Sequence, residues 1–149
     1  MPMLTPDHRV EALAKAPLFG GFSHRDLRKV AKRCDELTVH AGDHLCQEGE
    51  HGEWAFILVD VGAEVVVAGH HVATLAPGEI CGELSLLDGG PRAATVTASG
   101  DGTVLLVPRP AFLDLLEEVP SLVAVVLASF GERLRVANAQ TAGTFLTAG

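Results

Sequence analysis

Between Leu37 and Pro108 the chain reads as a succession of short β-prone runs parted by glycine-bearing turns, and this spacing restricts the available folds most. The runs are Glu36–Val39, His44–Gln47, Trp54–Asp60, Glu64–Ala68, His71–Leu75, Ala94–Ala98 and Thr103–Val107, with Gly62 and Gly69 at tight turns. Strands this short and near-regularly spaced suggest a sandwich or jelly-roll barrel. One stretch interrupts the pattern. Glu83 to Leu87 is helix-prone, although strands surround it on both sides.

Helices flank the barrel. Thr5 is a cap and Pro6 the first helical position of a helix over Asp7 to Ala16, which Pro17 stops. Ser23, with Asp26 three residues on, resembles a capping box with a shorter acid. It opens a second helix in which Leu27, Val30, Ala31 and Cys34 recur at helical spacing. After Pro108, Pro110 starts a helix with Phe112, Leu113, Leu116 and Val119 on its apolar face. Pro120 bends the path, and a longer helix runs from Ser121 to about Ala139. Its first half, LVAVVLASF, is apolar nearly all round, so one buried face does not account for it. Contact with both the barrel and a second subunit would, which points to a homodimer through this helix. The expected fold class is therefore α+β: an antiparallel β jelly-roll barrel with N-terminal helices, a short inserted helix and two C-terminal helices. The expected organisation is a single domain over residues 1–140. It comprises a helical segment over about 5–35, the barrel over about 36–108 and C-terminal helices over about 110–139, with a flexible tail at 141–149.

Composition narrows the function. A length of 149 residues and 48% hydrophobic content suit one domain with an ordinary core. The longest apolar run, Leu122–Ala128, is too short to span a bilayer, and the N-terminus lacks the basic-then-apolar pattern of a secretory signal. Cys34, Cys46 and Cys81 form no CxxC pair and read as small buried hydrophobes in a reducing compartment, so a cytoplasmic location is expected. A net charge of −8 argues against a nucleic-acid surface. Arg25, Arg28, Lys29, Lys32 and Arg33 do cluster, but at the spacing of a helix's solvated side.

The stretch Pro77 to Val96, PGEICGELSLLDGGPRAATV, carries the candidate site. Gly82 followed by Leu84 and Ser85 sets backbone N–H groups at the start of a helical turn, a place that suits an anion. Arg92, at the far end of the Gly-Gly-Pro loop, is a planar fork of donors within reach of the same anion. Glu83 sits among them as an acceptor that an anion alone would not want. A ligand with both a phosphate and a neighbouring hydroxyl uses all three, which is the chemistry of a sugar phosphate or nucleotide.

The run Gly82-Glu83-Leu84-Ser85 with Pro91-Arg92-Ala93-Ala94-Thr95-Val96 resembles the phosphate-binding cassette of cyclic nucleotide-binding domains. Gly42-Asp43, Glu48-Gly49-Glu50, Phe56-Ile57-Leu58 and Gly62 extend the resemblance, which covers roughly Leu18 to Leu134. The resemblance implies a regulatory binding module without catalytic activity, with no metal and a cyclic nucleotide as ligand. It implies that Arg92 holds the exocyclic phosphate oxygens and Glu83 accepts from the ribose 2′-hydroxyl. Gly82, Leu84, Ser85 and Ala93 act through backbone N–H groups, with Cys81 and Ala94 flanking them. Ser85, where the family often has Ala, adds a hydroxyl to the phosphate or stands on the helix surface. Relatives that prefer cyclic GMP usually carry Thr after the arginine; Ala93 lacks that hydroxyl, so cyclic AMP is expected over cyclic GMP. The purine is placed on Val65, Val67 or Leu75, and Arg133 and Leu134 are lid candidates. Binding is expected to rearrange the C-terminal helices and so to reach an effector protein that the sequence does not name. Two departures are visible: Cys81 replaces the usual Phe, and Trp54 stands where a smaller aliphatic is common, refilling the core.

The alternatives are a cupin-like metal-dependent enzyme and a degenerate barrel acting only as a protein-interaction module. A cupin needs closely spaced inward ligands. Here His40 and His44 flank a Gly-Asp turn, and the adjacent His70 and His71 point to opposite faces of a strand. Ser85 lacks the Gly-x-Ser-x-Gly setting of a nucleophile. Only about ten residues follow the last helix, too few for a DNA-recognition helix.

Overall fold

The computed structural model describes residues 5–132 and Arg135. Eight strands form two four-stranded antiparallel sheets. The strands are β1 (Asp35–Val39), β2 (His44–Cys46), β3 (Trp54–Leu58), β4 (Ala63–Val67), β5 (His70–Leu75), β6 (Ile80–Cys81), β7 (Thr95–Ala98) and β8 (Gly102–Pro108). One sheet has the order β1-β8-β3-β6 and the other β2-β7-β4-β5. Helices α1 (Pro6–Lys15) and α2 (His24–Lys32) precede the barrel, α3 (Glu83–Asp88) interrupts it, and α4 (Arg109–Glu118) follows. A last helix covers 120–132. The expected α+β barrel with flanking helices is the fold found.

The helix starts follow from their capping residues. Thr5 Oγ1 accepts from the His8 N–H at 3.3 Å and Ser23 Oγ from the Asp26 N–H at 3.1 Å, so each satisfies a donor that the first turn leaves open. Leu27, Val30, Ala31 and Cys34 are all buried, as their spacing requires.

Strand β3 explains how two cores share one sheet. Successive side chains of a strand point to opposite faces. Ala55 and Ile57 join the helix-facing cluster with Leu13, Leu27, Phe112 and Leu115. Phe56 and Leu58 face the barrel interior with Val39, Val96 and Val104. Both faces are covered, hence the unbroken apolar run WAFIL rather than an alternating one. The second sheet alternates: Val65 and Val96 turn inward, while the row His44–Thr97–Glu64–Thr74 lies across the outer face.

Several expectations need correction. The two-residue strand β6 was not legible, because Ile80–Cys81 is too short to show a period. Strand β7 starts at Thr95, so Arg92 and Ala94 lie in the preceding loop. Trp54 does not refill the core; it is 39% exposed, at the start of β3 beside the sheet edge. On α4 the buried positions are Ala111, Phe112 and Leu115, whereas Leu113 is exposed, since the barrel meets a face shifted round from the expected one. The last helix buries Leu122, Val125 and Val126 and leaves Val123, Leu127 and Phe130 exposed. The tail from Thr141 onward lies outside the described residues.

Candidate functional site

Arg92 is fixed first by its own backbone. Its N–H donates to Glu50 O at 2.7 Å and its carbonyl accepts from Gly49 N–H at 2.9 Å, while a β-bridge joins His51 to Pro91. The β2–β3 loop and the Gly-Gly-Pro loop are thereby laid side by side, and the Arg92 side chain runs inward between two glycines. A Cβ on Gly52 would stand 2.0 Å from the guanidinium carbon, and one on Gly82 would stand 2.5 Å from Nη1. Neither position admits a side chain while Arg92 holds its place.

The guanidinium, on a residue only 6% exposed, is held at three points. Nη1 donates to Gly82 O at 2.7 Å and to Ser85 Oγ at 2.8 Å, and Nη2 donates to Trp54 O at 2.6 Å. Its central carbon lies 5.9 Å from the centre of the Phe56 ring, within cation–π range. All three hydrogen-bond partners are neutral oxygens. Among the described residues no carboxylate forms an ion pair with Arg92. Neither Asp88 nor Asp101 pairs with it. The site thus contains a buried positive charge whose direct contacts do not neutralise it.

Helix α3 begins where Arg92 ends. Gly82 caps it with φ +81°, a left-handed conformation that glycine alone adopts without strain, and this turns the chain sharply out of β6. The first N–H groups of a helix have no intrahelical acceptor. Glu83, the next residue, is completely buried, and the Ser129 hydroxyl of the last helix donates to its Oε1. Ser85 is not on the helix surface; it is buried, donating to Gly82 O at 3.2 Å while accepting from Arg92. Leu84 is half-buried, Cys81 fully buried beneath the turn, Ala94 half-buried and Ala93 exposed. At the other end of α3, Arg109 Nε donates to Leu86 O at 2.9 Å and ties the helix to the start of α4.

A cavity of about 220 Å³ opens on Arg92 from the side of the β2–β3 loop, with Gln47, Glu50, His51, Glu53 and Trp54 in its wall. No α3 residue lines it. Of the residues proposed for the purine, Val65 and Leu75 pack partly against the barrel interior, and Val67, at the end of β4 beside the β4–β5 turn, is exposed. Arg133 and Leu134 lie outside the described residues. Among the described residues no three His, Cys, Asp or Glu side chains come together as a metal site, and no helix is long and apolar enough to cross a membrane.

The structure thus brings Gly82, Glu83, Ser85 and Arg92 into one constellation and adds participants that the sequence reading did not include. Gly52 gives Arg92 its corridor, Trp54 contributes a carbonyl, Phe56 a ring face and Ser129 a hydroxyl. The glycine of HGEW carried a faint signal. Ser129 carried none, being a small polar residue in an apolar helix. Chemically, the arrangement offers a buried carboxylate at the start of α3 and a buried guanidinium that reaches the same turn.

Comparison with known proteins bears on the family and the fold. The profile of the cyclic nucleotide-binding domain matches residues 36–119. An NTE family protein of Mycobacterium tuberculosis is 33% identical over 126 residues, covering 83% of this chain and 21% of that protein. A cAMP-dependent protein kinase regulatory subunit of Emericella nidulans is 31% identical over 112 residues, covering 74% of this chain and 27% of that subunit. The chain therefore spans about a quarter or less of the length of these two relatives. Among solved structures, the cAMP-bound fragment 141–441 of PfPKA-R superposes with a TM-score of 0.82 at 26% identity, over 91% of this chain and 47% of that one. With the profile covering more than half its length, the chain belongs to the cyclic nucleotide-binding domain family.

Proposed function

We propose that the domain is a cyclic AMP sensor whose ligand is held by Gly82, Glu83, Leu84, Ser85, Arg92 and Ala93. The observation that carries this reading is the buried Arg92 guanidinium, which has only neutral oxygens as partners among the described residues. Burying a charge without a counter-charge is expensive, and a phosphate seated over it supplies the missing negative charge in a bidentate geometry. Glu83 selects for a ligand that also offers a hydroxyl, as a ribose does. The absence of a hydroxyl at Ala93 favours adenine over guanine. Relatives and neighbours described as cAMP-dependent or cAMP-bound support the same choice.

The function is regulatory rather than catalytic. Ligand binding shifts the last helices, and the exposed stripe of Val123, Leu127 and Phe130 is the surface through which a second subunit or an effector reads the change. A cytoplasmic location fits three buried free thiols. The test is calorimetry on protein freed of co-purified nucleotide by unfolding and refolding. Tight cyclic AMP binding, weaker cyclic GMP binding and loss of both in Arg92→Ala, shown folded by circular dichroism, are expected. No heat from either nucleotide would refute the reading and direct the search to other sugar phosphates.

A further inference from the structure

We propose that Ser129 occupies, in the ligand-free domain, the hydrogen-bonding position on Glu83 that the ligand's ribose hydroxyl takes on binding, so that Ser129 sets both the affinity of the site and its preference for a 2′-hydroxyl. The inference rests on the functional reading above and assigns to the last helix a chemical role at the site.

Three observations support it. Glu83 is completely buried, and Ser129 Oγ donates to its Oε1. Ser129 itself is half-buried on the helix over 120–132, so its hydroxyl is brought to the carboxylate by the position of that helix. A serine hydroxyl has a single proton, and here it is directed to Glu83. A ribose 2′-hydroxyl is the same donor: an O–H on a saturated carbon. Since Glu83 has no exposed surface, a new donor does not reach it while Ser129 and its helix stay in place. One hydroxyl has to leave for the other to arrive. Glu83 has further contacts of its own, and the exchange concerns only the donor that Ser129 supplies.

The linkage has a distinctive sign. For cyclic AMP, the Ser129–Glu83 bond exists in the free state and is lost in the complex, so removing the hydroxyl destabilises only the free state and tightens binding. For 2′-deoxy cyclic AMP, no ligand hydroxyl competes. Ser129 returns to Glu83 in the complex, and its removal acts equally on both states. The wild-type domain therefore discriminates between the two ligands less than its carboxylate is able to, because serine covers for the missing hydroxyl.

The experiment is a calorimetric titration of nucleotide-stripped wild type, Ser129→Ala and Ser129→Thr with cyclic AMP and with 2′-deoxy cyclic AMP. Ser129→Ala is expected to bind cyclic AMP about tenfold more tightly, the scale of one hydrogen bond to a charged group, and to leave 2′-deoxy cyclic AMP unchanged. Ser129→Thr, which keeps the hydroxyl, is expected to keep the wild-type ratio between the ligands. Unchanged or weaker cyclic AMP binding in Ser129→Ala would overturn the exchange and make Ser129 a second donor beside the ribose. Equal tightening for both ligands would also overturn it, since the helix would then act as a general latch. If the wild-type domain binds neither nucleotide, the functional reading fails and this inference with it.

Discussion

Removing Arg92 is expected to destabilise the domain in the absence of any ligand, and the size of the loss follows from its three contacts. The guanidinium donates to Gly82 O, Ser85 Oγ and Trp54 O at 2.6–2.8 Å, on a residue 6% exposed. A hydrogen bond to a charged group is worth about 1.5 kcal/mol or more net, and an acceptor left dry loses its partner altogether. Against this, alanine releases about 2 kcal/mol of side-chain entropy, the desolvation of the charge being already contained in the net value of its hydrogen bonds. The balance for Arg92→Ala is a loss of about 2–3 kcal/mol, or a Tm lower by about 5–10 °C for a chain of this length. Urea denaturation of ligand-free protein followed by circular dichroism measures it. Gly52→Ala supplies the internal control. Its Cβ would lie 2.0 Å from the guanidinium, so Arg92 has to abandon the same bonds without being mutated. Gly52→Ala is expected to cost a similar amount, and the double variant Gly52→Ala/Arg92→Ala about as much as either single one. A stability for Arg92→Ala within about 0.5 kcal/mol of wild type, or strict additivity in the double variant, would refute the reasoning.

Three further outcomes are expected. Ala68 is a non-glycine residue with φ +50° at the β4–β5 turn, followed by Gly69 at +81°, so Ala68→Asn, which suits this turn, should stabilise the domain by about 1 kcal/mol in the same denaturation assay. Burial pushes the Cys34 thiol up to about 12, so at pH 8 it should resist alkylation in the folded protein and react only after denaturation, as read by peptide mass spectrometry. Hydrogen bonds from Thr74 and then His71 hold the Glu64 carboxyl below its ordinary 4.5; what stability they lend is present above that value and lost as the pH falls through the lowered one. Thr74→Ala should return the Glu64 titration, followed by NMR, toward 4.5.

How much of this was legible in the sequence depends on the range of the interaction concerned. The caps at Thr5 and Ser23 were legible because each is satisfied three residues on. The strands with clear turns at both ends were found to within a residue or two. What escaped was set by partners remote in sequence. Trp54 is aromatic and stands in a strand, which suggests core, yet its position at the strand's edge turns it to solvent. The α4 face was misjudged at Leu113 because a helix with apolar residues on several sides does not say which side meets the barrel. At the site, Gly82, Glu83, Ser85 and Arg92 are close in sequence and a local pattern groups them. Gly52 and Ser129 lie 40 and 37 residues from Arg92 and join only when the β2–β3 loop and the last helix fold against it.

The contacts at the site also bear on how binding would be felt elsewhere. Arg92 already uses three of its five N–H donors on Gly82, Ser85 and Trp54, and Glu83 accepts from Ser129, so a ligand here would meet groups that are partly engaged. Its affinity is then a difference between two bonded states, and only that difference is able to move the protein. In the proposed exchange, helix α3 would be the element through which the change is transmitted. It is joined to the barrel through Arg92 and Ser85, to the start of α4 through Arg109 and Leu86 O, and to the last helix through Glu83 and Ser129. Its six residues include Leu86, fully buried in the helix-facing core, so a change at either end acts on a helix anchored at its middle. A phosphate that draws on Arg92 and a hydroxyl that displaces Ser129 would act on the barrel-side and helix-side tethers of α3 together. Under the proposed exchange, that simultaneity would separate a switch from a simple receptacle: displacement of Ser129 would free the helix that carries Val123, Leu127 and Phe130, which are exposed.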